Sequence, residues 1–327
     1  MLSDDSPDFF FLWSGDEFSH LFRMAVRSVR MHNPSADIRV YVTGRWPDSP
    51  NFEGMTSDGC ASVIRIDADD VIDLLPAHLR GVADLYRKLP THAHSARSNI
   101  LRYALLYLHG GVYLDTDVLM LGAFPERGEA DALIGTERVW KGDGDRVAGD
   151  ASVWLRPSTW GWAVSWALTR ADSYFFAGAL GLAHRLARIS DAWMTSQANN
   201  AVISARRESR FMERLLLSAA HADPSVRYST GPTLIDTELR SAGPDVVALG
   251  CDSFYSVPPG ESYRLFEDVG LSLPPDAVAI HVAASNHPVR LSRMSPSDTQ
   301  ARRGSVVNRV VERAWGAVKG VEGAATR

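Results

Sequence analysis

Two carboxylates one residue apart are the feature of this sequence from which chemistry can be argued. Residues 110–119 read GGVYLDTDVL, so Asp115 and Asp117 follow an apolar run. Residues i and i+2 of a pleated strand point to the same face, and the spacing therefore predicts an oxygen-ligand site with a charge of about −2. Such a site suits a divalent cation, and a bound cation can hold a diphosphate.

A helix predicted over residues 95–109 comes directly before the carboxylates. Its apolar stripe consists of Ile100, Leu101, Ala104, Leu105 and Leu108. Asn99 and Arg102 lie three residues apart and share a different face. Gly110 is expected to end the helix, and Gly111 to let the chain turn straight into a strand. The sequence thus predicts an amide and a guanidinium beside the two carboxylates.

Short apolar runs alternate with helical patterns, which predicts an α/β sheet with mainly parallel connections. The predicted strands cover residues 9–13, 38–43, 62–66, 112–120, 132–136, 152–155 and 278–282. A helix is expected over residues 18–31, because Asn33-Pro34 would end it.

Residues 157–220 have mostly helical spacing and are interpreted as an insertion. Four tryptophans crowd its start: Trp154, Trp160, Trp162 and Trp166. Core packing beneath a lid is the favoured interpretation, and an aromatic wall that stacks on acceptor sugar rings is the alternative.

The composition narrows the class of protein. The chain has 327 residues, 45% hydrophobic and 22% charged, which fits one large globular domain with an insertion. A net charge of −5 gives no basic field for nucleic acid. Cys60 and Cys251 form no disulfide framework or zinc spacing and favour a reducing compartment. The acidic start and the lack of an 18-residue apolar run favour a soluble cytoplasmic protein.

The last segment, residues 301–327, is predicted to form an amphipathic helix or tail. One side is apolar: Val306, Val307, Val310, Val311, Ala314 and Val318. Basic residues accompany it: Arg302, Arg303, Arg309, Arg313 and Lys319. Two interpretations stay open, a terminal helix docked on the protein body and a helix in peripheral contact with a membrane.

Residues 95–117, SARSNILRYALLYLHGGVYLDTD, resemble the sugar-binding signature of the DXD glycosyltransferases of family 32. Relatives include fungal initiating mannosyltransferases, α-1,4-galactosyltransferases and the glucosylating clostridial toxins. Similarity is patchier at residues 10–15, 197–204, 231–232 and 279–287. The resemblance implies a glycosyltransferase A-type α/β fold with a Rossmann-like central mixed sheet. It would form one catalytic domain over residues 1–300, with the helical insertion at about 157–220.

The resemblance also implies a function and assigns residues to it. A hexose would pass, with retention of configuration, from a nucleotide-diphosphate sugar to an acceptor hydroxyl on a polysaccharide, glycolipid, natural product or protein. Asp117 would bind Mn²⁺ or Mg²⁺, and Asp115 would contact the ribose or sugar of a UDP- or GDP-sugar. Arg102 would hold a sugar hydroxyl or a phosphate, and these three residues form the predicted catalytic group.

Other donor-side residues follow from the same resemblance. Trp13 would stack near the nucleotide base. Asn99 stands where many relatives have an Asp that bonds the donor sugar, and an amide can bond hydroxyls but carries no charge. His281 matches a late histidine that closes over the metal ion, whereas Asn286 and His287 replace the Ser-Trp of the family. His281 and Asn286 are therefore candidate metal ligands, although a strand-end histidine bonded to the backbone is an equal interpretation of His281.

Three residues are candidates for the acceptor side. Asn199 and Asn200 resemble the start of the family's acceptor-side helix, and an Asn pair is also a good N-cap. Gly231 resembles the loop before a late strand, and Gly-Pro is also a plain turn signal.

Two alternatives to a glycosyltransferase are open. Asp115 could be the nucleophile of a haloacid-dehalogenase-like phosphatase, although that motif normally opens its domain and the later acidic motif here is only Gly-Cys-Asp, residues 250–252. A non-catalytic carbohydrate-binding protein would fit Asn99 and the missing tryptophan. The intact Arg102, Asp115 and Asp117 argue against it.

Overall fold

The computed structural model describes residues 8–142, 150–224, 226, 228–292, 294–295, 297 and 304–325, with only the backbone at 187, 188, 190 and 317–325. The strands are β1 Phe9–Trp13, β2 Ile38–Thr43, β3 Ser62–Ile66, β4 Gly111–Leu114, β5 Val118–Met120, β6 Ala132–Trp140, β7 Met194–Ala205, β8 Val246–Leu249 and β9 Ala279–His281. The helices up to the middle of the chain are α1 His20–His32, α2 Pro50–Ser57, α3 Ala68–Asp73, α4 Arg80–Lys88, α5 His94–His109, α6 Pro157–Phe176 and α7 Leu182–Ser190. The later helices are α8 Arg210–Ala219, α9 Pro232–Arg240, α10 Cys251–Phe254, α11 Arg264–Glu267, α12 Pro288–Ser292 and α13 Val306–Ala325.

Seven strands form the central sheet, in the order β3-β2-β1-β4-β7-β6-β8. The pairs β3–β2, β2–β1, β1–β4 and β6–β8 are parallel. Strand β7 is antiparallel to both of its neighbours, β4 and β6. Strands β5 and β9 pair antiparallel in a separate small sheet. The predicted α/β class with a mixed central sheet is confirmed. The carboxyl ends of β1 to β4 meet at one edge, where ligands bind in open α/β sheets.

Both faces of the central sheet are covered. Phe10 and Leu12 of β1 pack in a cluster with α5, whereas Phe9 and Phe11 pack in a cluster with α1. Alternate residues of a strand point to opposite faces, so a strand buried on both sides needs a continuous apolar run. This requirement explains the continuous apolar run of β1, which was predicted with its observed bounds.

Two predicted strands are wrong. Residues 112–120 form β4 and β5, which belong to different sheets, with the two carboxylates in the turn between them. Residues 152–155 lie in a 3₁₀ helix, Ala151–Leu155. Strand β6 extends beyond the predicted residue 136, and β9 is shorter than predicted.

Residues 157–220 are mostly helical, as predicted, but a strand of the central sheet lies among their helices. Helices α6, α7 and α8 are present, but β7 interrupts them and lies between β4 and β6 in the central sheet. Asn199 and Asn200, expected to start a helix, lie inside β7. Strand β6 pairs with the largely polar first part of β7, residues 194–198, and β4 pairs with residues 202–205, so tertiary pairing fixes this strand.

The tryptophans at the start of this region do not all pack in a core. Trp154, Trp160 and Trp166 are exposed. Trp162 stacks on Trp140 with ring centroids 4.7 Å apart. The favoured interpretation as buried core residues is therefore wrong for the three exposed rings.

The C-terminal helix α13 docks on the protein body. Its buried residues are Val306, Val307, Val310, Val311 and Ala314. They share a core cluster with Leu21, Met24 and Ala25 of α1. This side of the helix is therefore covered, as the docked interpretation predicts, while residues 301–303 and the side chains of 318 and 319 lie outside the described residues. Among the described helices, none is long and apolar enough to cross a membrane.

Asp131, directly before β6, joins the sheet to the start of α8. Its buried carboxylate accepts hydrogen bonds from the Ser209 hydroxyl at 2.7 Å, the Phe211 N–H at 2.8 Å and the Arg206 Nε at 2.9 Å. Burial acts to raise the pKa of Asp131, but these hydrogen bonds outweigh it and hold the pKa below its ordinary value. The ionised carboxylate therefore stabilises the folded state.

We expect Asp131→Asn to lower the free energy of unfolding by about 2 kcal/mol at neutral pH, because charged hydrogen bonds are lost. The folded pKa lies below the unfolded value, so the unfolded chain binds more protons in acid. This stabilisation is therefore complete above about pH 4 and is lost as the pH falls through the folded pKa. Urea unfolding should show the difference between wild type and variant shrinking below about pH 4. A difference that grows in acid would contradict this account.

Candidate active site

The two carboxylates lie in the turn that joins the central sheet to the small sheet. The Asp115 N–H donates to the Ala201 carbonyl of β7 at 2.8 Å, and the Val118 N–H donates to the Asp115 carbonyl at 3.0 Å. Asp115 and Asp117 are thus not successive residues of one strand face, as the sequence suggested. The backbone of the turn, anchored on β7, brings the two side chains to the same site.

Asp117 is buried and is held from the opposite side by β9 and the residues after it. The Ala284 N–H donates to Asp117 Oδ2 at 2.7 Å, and the Val282 N–H donates to the Asp117 carbonyl at 3.0 Å. His281 pairs with Val118 across the small sheet, which places His281 Nε2 3.4 Å from Asp117 Oδ1. The pairing of β5 with β9 therefore positions His281 beside the Asp117 carboxylate.

Asp117 and His281 stabilise each other's charge. Burial acts to lower the pKa of His281, but Asp117 and then Asp115 outweigh it and raise that pKa to about 9. Burial acts to raise the pKa of Asp117, but His281 and the Ala284 N–H hold it below its ordinary value. A cation between the carboxylates would replace this ion pair and would bind the neutral imidazole.

Arg102 acts on Asp115. The guanidinium is buried and donates from Nη2 to Asp115 Oδ1 at 3.0 Å and from Nη1 to the Asn200 carbonyl at 2.6 Å. It lies 4.1 Å from the centre of the Tyr113 ring, and the Tyr113 hydroxyl donates to the same carboxylate oxygen. The arginine predicted to hold the donor is thus engaged in fixing the carboxylate and a strand of the central sheet.

Asp115, Asp117 and His281 form a group that could hold a metal ion. One ligand atom from each lies within 4.8 Å of the other two. Two carboxylate oxygens suit a hard cation such as Mg²⁺ or Mn²⁺, and a neutral imidazole is a common additional metal ligand. The donor set therefore fits the predicted metal. Asn286 lies nearby, where its amide nitrogen donates to the Pro259 carbonyl at 3.2 Å, and its function as a ligand stays a prediction.

One cleft of about 580 Å³ contains nearly all the predicted site residues. Those that line it are Trp13, Asn99, Arg102, Asp115, Asp117, Asn199, Asn200, His281 and Asn286. Gly231 does not line the cleft, but a Cβ at this position would lie 2.8 Å from Asn99 Nδ2. The structure thus brings together residues that are up to 273 positions apart in the sequence.

Three of the four asparagines that line the cleft, Asn99, Asn199 and Asn200, differ in their contacts. Asn200 Nδ2 donates to Asn99 Oδ1 at 2.8 Å, so the helix α5 and the strand β7 are joined through an amide pair. Asn199 Oδ1 instead accepts from the Ala201 N–H at 2.7 Å and from the Tyr255 hydroxyl at 3.1 Å, and its side chain is buried. Asn199 thus supports the local conformation of β7, whereas Asn99 and Asn200 form a polar wall.

Trp13 lines the cleft at the end of β1. Its Nε1 donates to the Gly15 carbonyl at 2.9 Å, and its ring packs against Phe18 with centroids 5.3 Å apart. The indole is therefore held in place by the first strand and the residues that follow it. Stacking on a nucleotide base stays a prediction.

Several residues that line the cleft were not predicted from the sequence, among them Glu137, Gln197 and Tyr228. Glu137 and Gln197 are register partners on β6 and β7 and both line the cleft. They were missed because β6 was predicted to end at residue 136 and β7 was not predicted at all. Tyr228, from a loop between α8 and α9, also lines the cleft, and no signal in the sequence distinguishes it.

Comparison with protein families identifies the class of protein. Residues 19–140 match the family described as a glycosyltransferase sugar-binding region containing the DXD motif. The chain carries this family's region, with Asp115-Thr116-Asp117 as its DXD motif, and is a glycosyltransferase. The α/β fold with a mixed central sheet, implied by the resemblance, is the fold observed.

Several solved structures resemble the chain at low identity. The PaToxG glycosyltransferase is 12% identical, with 97% of this chain and 88% of that chain covered and a TM-score of 0.43. The galactosyltransferase LgtC, solved with donor and acceptor sugar analogs, is 12% identical, with coverages of 94% and 95% and a TM-score of 0.44. Mouse xyloside xylosyltransferase 1 is 13% identical, with coverages of 84% and 97% and a TM-score of 0.44.

Comparison with curated protein sequences gives no match. Neither the phosphatase nor the non-catalytic carbohydrate-binding protein receives support from the comparisons.

Proposed function

We propose that the chain is a metal-dependent, retaining hexosyltransferase that uses a UDP- or GDP-sugar and an acceptor hydroxyl. The observation that carries this proposal is the convergence of Asp115, Asp117 and His281 in one cleft, within reach of a single cation. A nucleotide-sugar donor has a diphosphate leaving group, which requires charge stabilisation as the glycosidic bond breaks.

The three clustered side chains would hold Mn²⁺ or Mg²⁺, with Asn286 as a further oxygen donor at the edge of the cleft. When bound, the cation supplies Lewis-acid stabilisation of the leaving diphosphate. Asp117 is the central ligand in this proposal, because it is buried and its Oδ2 is already fixed by the Ala284 N–H.

Arg102 is proposed as a positioning residue. Its guanidinium and the Tyr113 hydroxyl both bond Asp115 Oδ1, which fixes the rotamer of that carboxylate. Among the described hydrogen bonds, none reaches Asp115 Oδ2. This oxygen is therefore proposed to accept a hydrogen bond from a hydroxyl of the ribose or of the donor sugar.

The nucleoside is proposed to bind in a second cleft of about 660 Å³ at the carboxyl ends of the first three strands. This cleft and the active-site cleft share Leu12, Ser14, His94 and Ser98. A donor can therefore extend from one cleft into the other, past Trp13. The polar side chains of Asn99, Asn200 and Gln197 are proposed to bind hydroxyls of the transferred sugar.

Retention of configuration is carried over from the family resemblance. In the proposed step, the acceptor oxygen bonds to the anomeric carbon from the face that the diphosphate leaves. The bond between that carbon and the phosphate oxygen breaks, and the departing phosphate takes the proton of the acceptor hydroxyl. The side chains of the cleft then bind and orient the reactants and exclude water.

A screen of UDP- and GDP-hexoses tests this function. We expect one donor to release nucleoside diphosphate in the presence of Mn²⁺ or Mg²⁺, with the release abolished by EDTA and restored by added metal. Once an acceptor is known, NMR of the first product should show that the transferred hexose has the same anomeric configuration as in the donor. No release from any donor, or release unaffected by EDTA, would contradict the proposal. A covalent phosphate on Asp115 would instead support the phosphatase alternative.

A further inference from the structure

Helix α6, Pro157–Phe176, has its polar side buried and its apolar side exposed. The buried residues are all polar: Thr159, Ser165, Thr169, Asp172 and Ser173. The exposed ones include large apolar side chains: Trp160, Val164, Leu168, Tyr174 and Phe175. A surface helix of a globular protein normally shows the opposite arrangement, so the exposed side needs an explanation.

Five of the exposed apolar residues of α6 form one continuous stripe, whereas Trp166 and Phe176, also exposed, lie outside it. At 100° per residue, these five side chains fall within about 120° of the helix circumference. Trp160 is 61% exposed and Phe175 is 72% exposed. The apolar surface continues at both ends of the helix, through Leu155, which is 83% exposed, and Leu180. Ile189 of the neighbouring helix α7 is also exposed.

The buried polar side fixes the orientation of the helix. Asp172 accepts from the Leu180 N–H at 3.1 Å and the Leu182 N–H at 2.9 Å, which ties α6 to α7. The Thr169 hydroxyl lies 3.1 Å from the Tyr263 hydroxyl, and Ser173 donates to Asp268. Rotating the apolar stripe inward would break these hydrogen bonds and bury their polar groups without partners. These hydrogen bonds therefore fix the orientation of α6 with its apolar stripe on the surface.

The charge of this region differs from that of the whole chain. Residues 151–190 contain four arginines and one acidic residue, whereas the chain has a net charge of −5. The one acidic residue, Asp172, is buried. Two of the four arginines are paired with carboxylates outside the segment, Arg156 with Asp150 at 3.4 Å and Arg170 with Glu267 at 2.5 Å. Further arginines also pair with these neighbouring carboxylates, Arg290 with Glu267 at 2.8 Å and Arg138 with Asp191 at 3.0 Å. The exposed apolar stripe thus lies in a locally basic part of an acidic protein.

We propose that the α6–α7 surface, defined by Leu155, Trp160, Val164, Leu168, Tyr174, Phe175, Leu180 and Ile189, binds an anionic lipid membrane. Aromatic side chains are favoured at the membrane–water interface, and basic residues beside an apolar helix face bind anionic headgroups. A second copy of the chain docking through the same surface would instead bring two basic regions together, which charge repulsion opposes. The membrane contact differs from the one considered for the C-terminal helix, whose apolar side is buried.

A cleft of about 770 Å³ adjoins the active-site cleft. Trp154 and Trp166, both exposed, line it, and it shares Val139, Tyr228, Pro259 and Asn286 with the active-site cleft. None of the eight residues that define the α6–α7 surface lines either cleft. The membrane contact is therefore independent of the proposed function.

Vesicle flotation of the full chain tests the membrane contact. The vesicles contain either phosphatidylcholine alone or phosphatidylcholine with phosphatidylglycerol. We expect the wild type to float with the anionic vesicles and to be released by salt. The double variant Trp160→Ser/Phe175→Ser should bind the anionic vesicles at least roughly tenfold more weakly than the wild type, because two large apolar side chains no longer enter the interface. The matched control Trp46→Ser/Leu74→Ser, which removes exposed apolar side chains elsewhere, should bind like the wild type.

Failure of the wild type to float with anionic vesicles, or equal flotation of the α6 double variant, overturns the proposal. A concentration-dependent dimer that the α6 variant abolishes, without vesicle binding, would assign the surface to self-association instead. Hydrolysis of a nucleotide sugar in solution should be the same in wild type and variant, because neither residue lines the active-site cleft. A failure of the membrane contact is therefore distinguishable from a failure of the proposed function.

Discussion

Replacing Asp117 by Asn is expected to lower metal-dependent release of nucleoside diphosphate by about a thousandfold, through loss of transition-state charge stabilisation. Asn has the size of Asp and an oxygen that can still accept from the Ala284 N–H, so the turn can keep its shape. What it lacks is the negative charge that a hard cation requires from a central ligand. Initial rates at saturating Mn²⁺, with thermal unfolding as a check of folding, measure the effect.

Glu129→Gln is the matched control for this experiment. Glu129 is an exposed carboxylate in the loop between β5 and β6, and its replacement removes the same charge away from the cleft. The control should keep the rate of the wild type. A folded Asp117→Asn variant that keeps full metal-dependent activity would show that Asp117 is not the central ligand.

Gly110→Ala is expected to have the largest effect on stability, lowering the free energy of unfolding by about 3 kcal/mol or more. Gly110 ends α5 with φ +71° and ψ −158°, a conformation almost restricted to glycine. A Cβ there would lie 2.6 Å from the backbone nitrogen of Arg207 and 3.0 Å from the carbonyl carbon of Arg206. Backbone atoms cannot move aside as a flexible side chain can, so strain and steric overlap add together.

Gly128→Ala separates these two contributions. Gly128 also has a positive φ, +57°, but a Cβ there would meet no atom within 4 Å. Its replacement should therefore cost only about 1 kcal/mol, the penalty of the left-handed conformation. Urea unfolding of the two variants gives the comparison. Equal destabilisation of both would show that close approach of the chain at Gly110 does not matter.

Gly110 also links stability to the active site. The turn at this residue connects the helix that carries Arg102 to the strand that leads to Asp115, and the two side chains meet across it. Any Gly110→Ala protein that folds should therefore also lose activity, because the guanidinium no longer fixes the carboxylate. The sequence predicted this turn correctly from its two consecutive glycines.

The parts of the fold that the sequence predicted have strong local signals. Strand β1 is an apolar run, β2 and β3 are rich in Val and Ile, and α5 has an uninterrupted apolar stripe. The pairing of Asn99 and Arg102 on one helix face followed from helical geometry alone, and both residues line the cleft. In these elements, local preference and tertiary packing agree.

The parts that the sequence did not predict depend on distant contacts. Strand β7 begins with a largely polar segment, residues 194–200, and pairing with β6 makes residues 194–198 part of a strand. Asn199 and Asn200 were expected to start a helix because they resemble the start of the family's acceptor-side helix, and an Asn pair is also a good N-cap. The exposure of Trp160 could not be predicted either, because the side of α6 that faces the protein is set by the hydrogen bonds of Asp172 and Ser173.

The central claim is that one cation binds to the chain through Asp115, Asp117 and His281. Titration of Mn²⁺ into the protein with a nucleoside diphosphate present, followed by electron paramagnetic resonance of free Mn²⁺, measures it directly. We predict one bound ion per chain for the wild type and for Glu129→Gln, and loss of that ion in Asp117→Asn. Equal binding by wild type and Asp117→Asn, or no binding by the wild type, would contradict the claim.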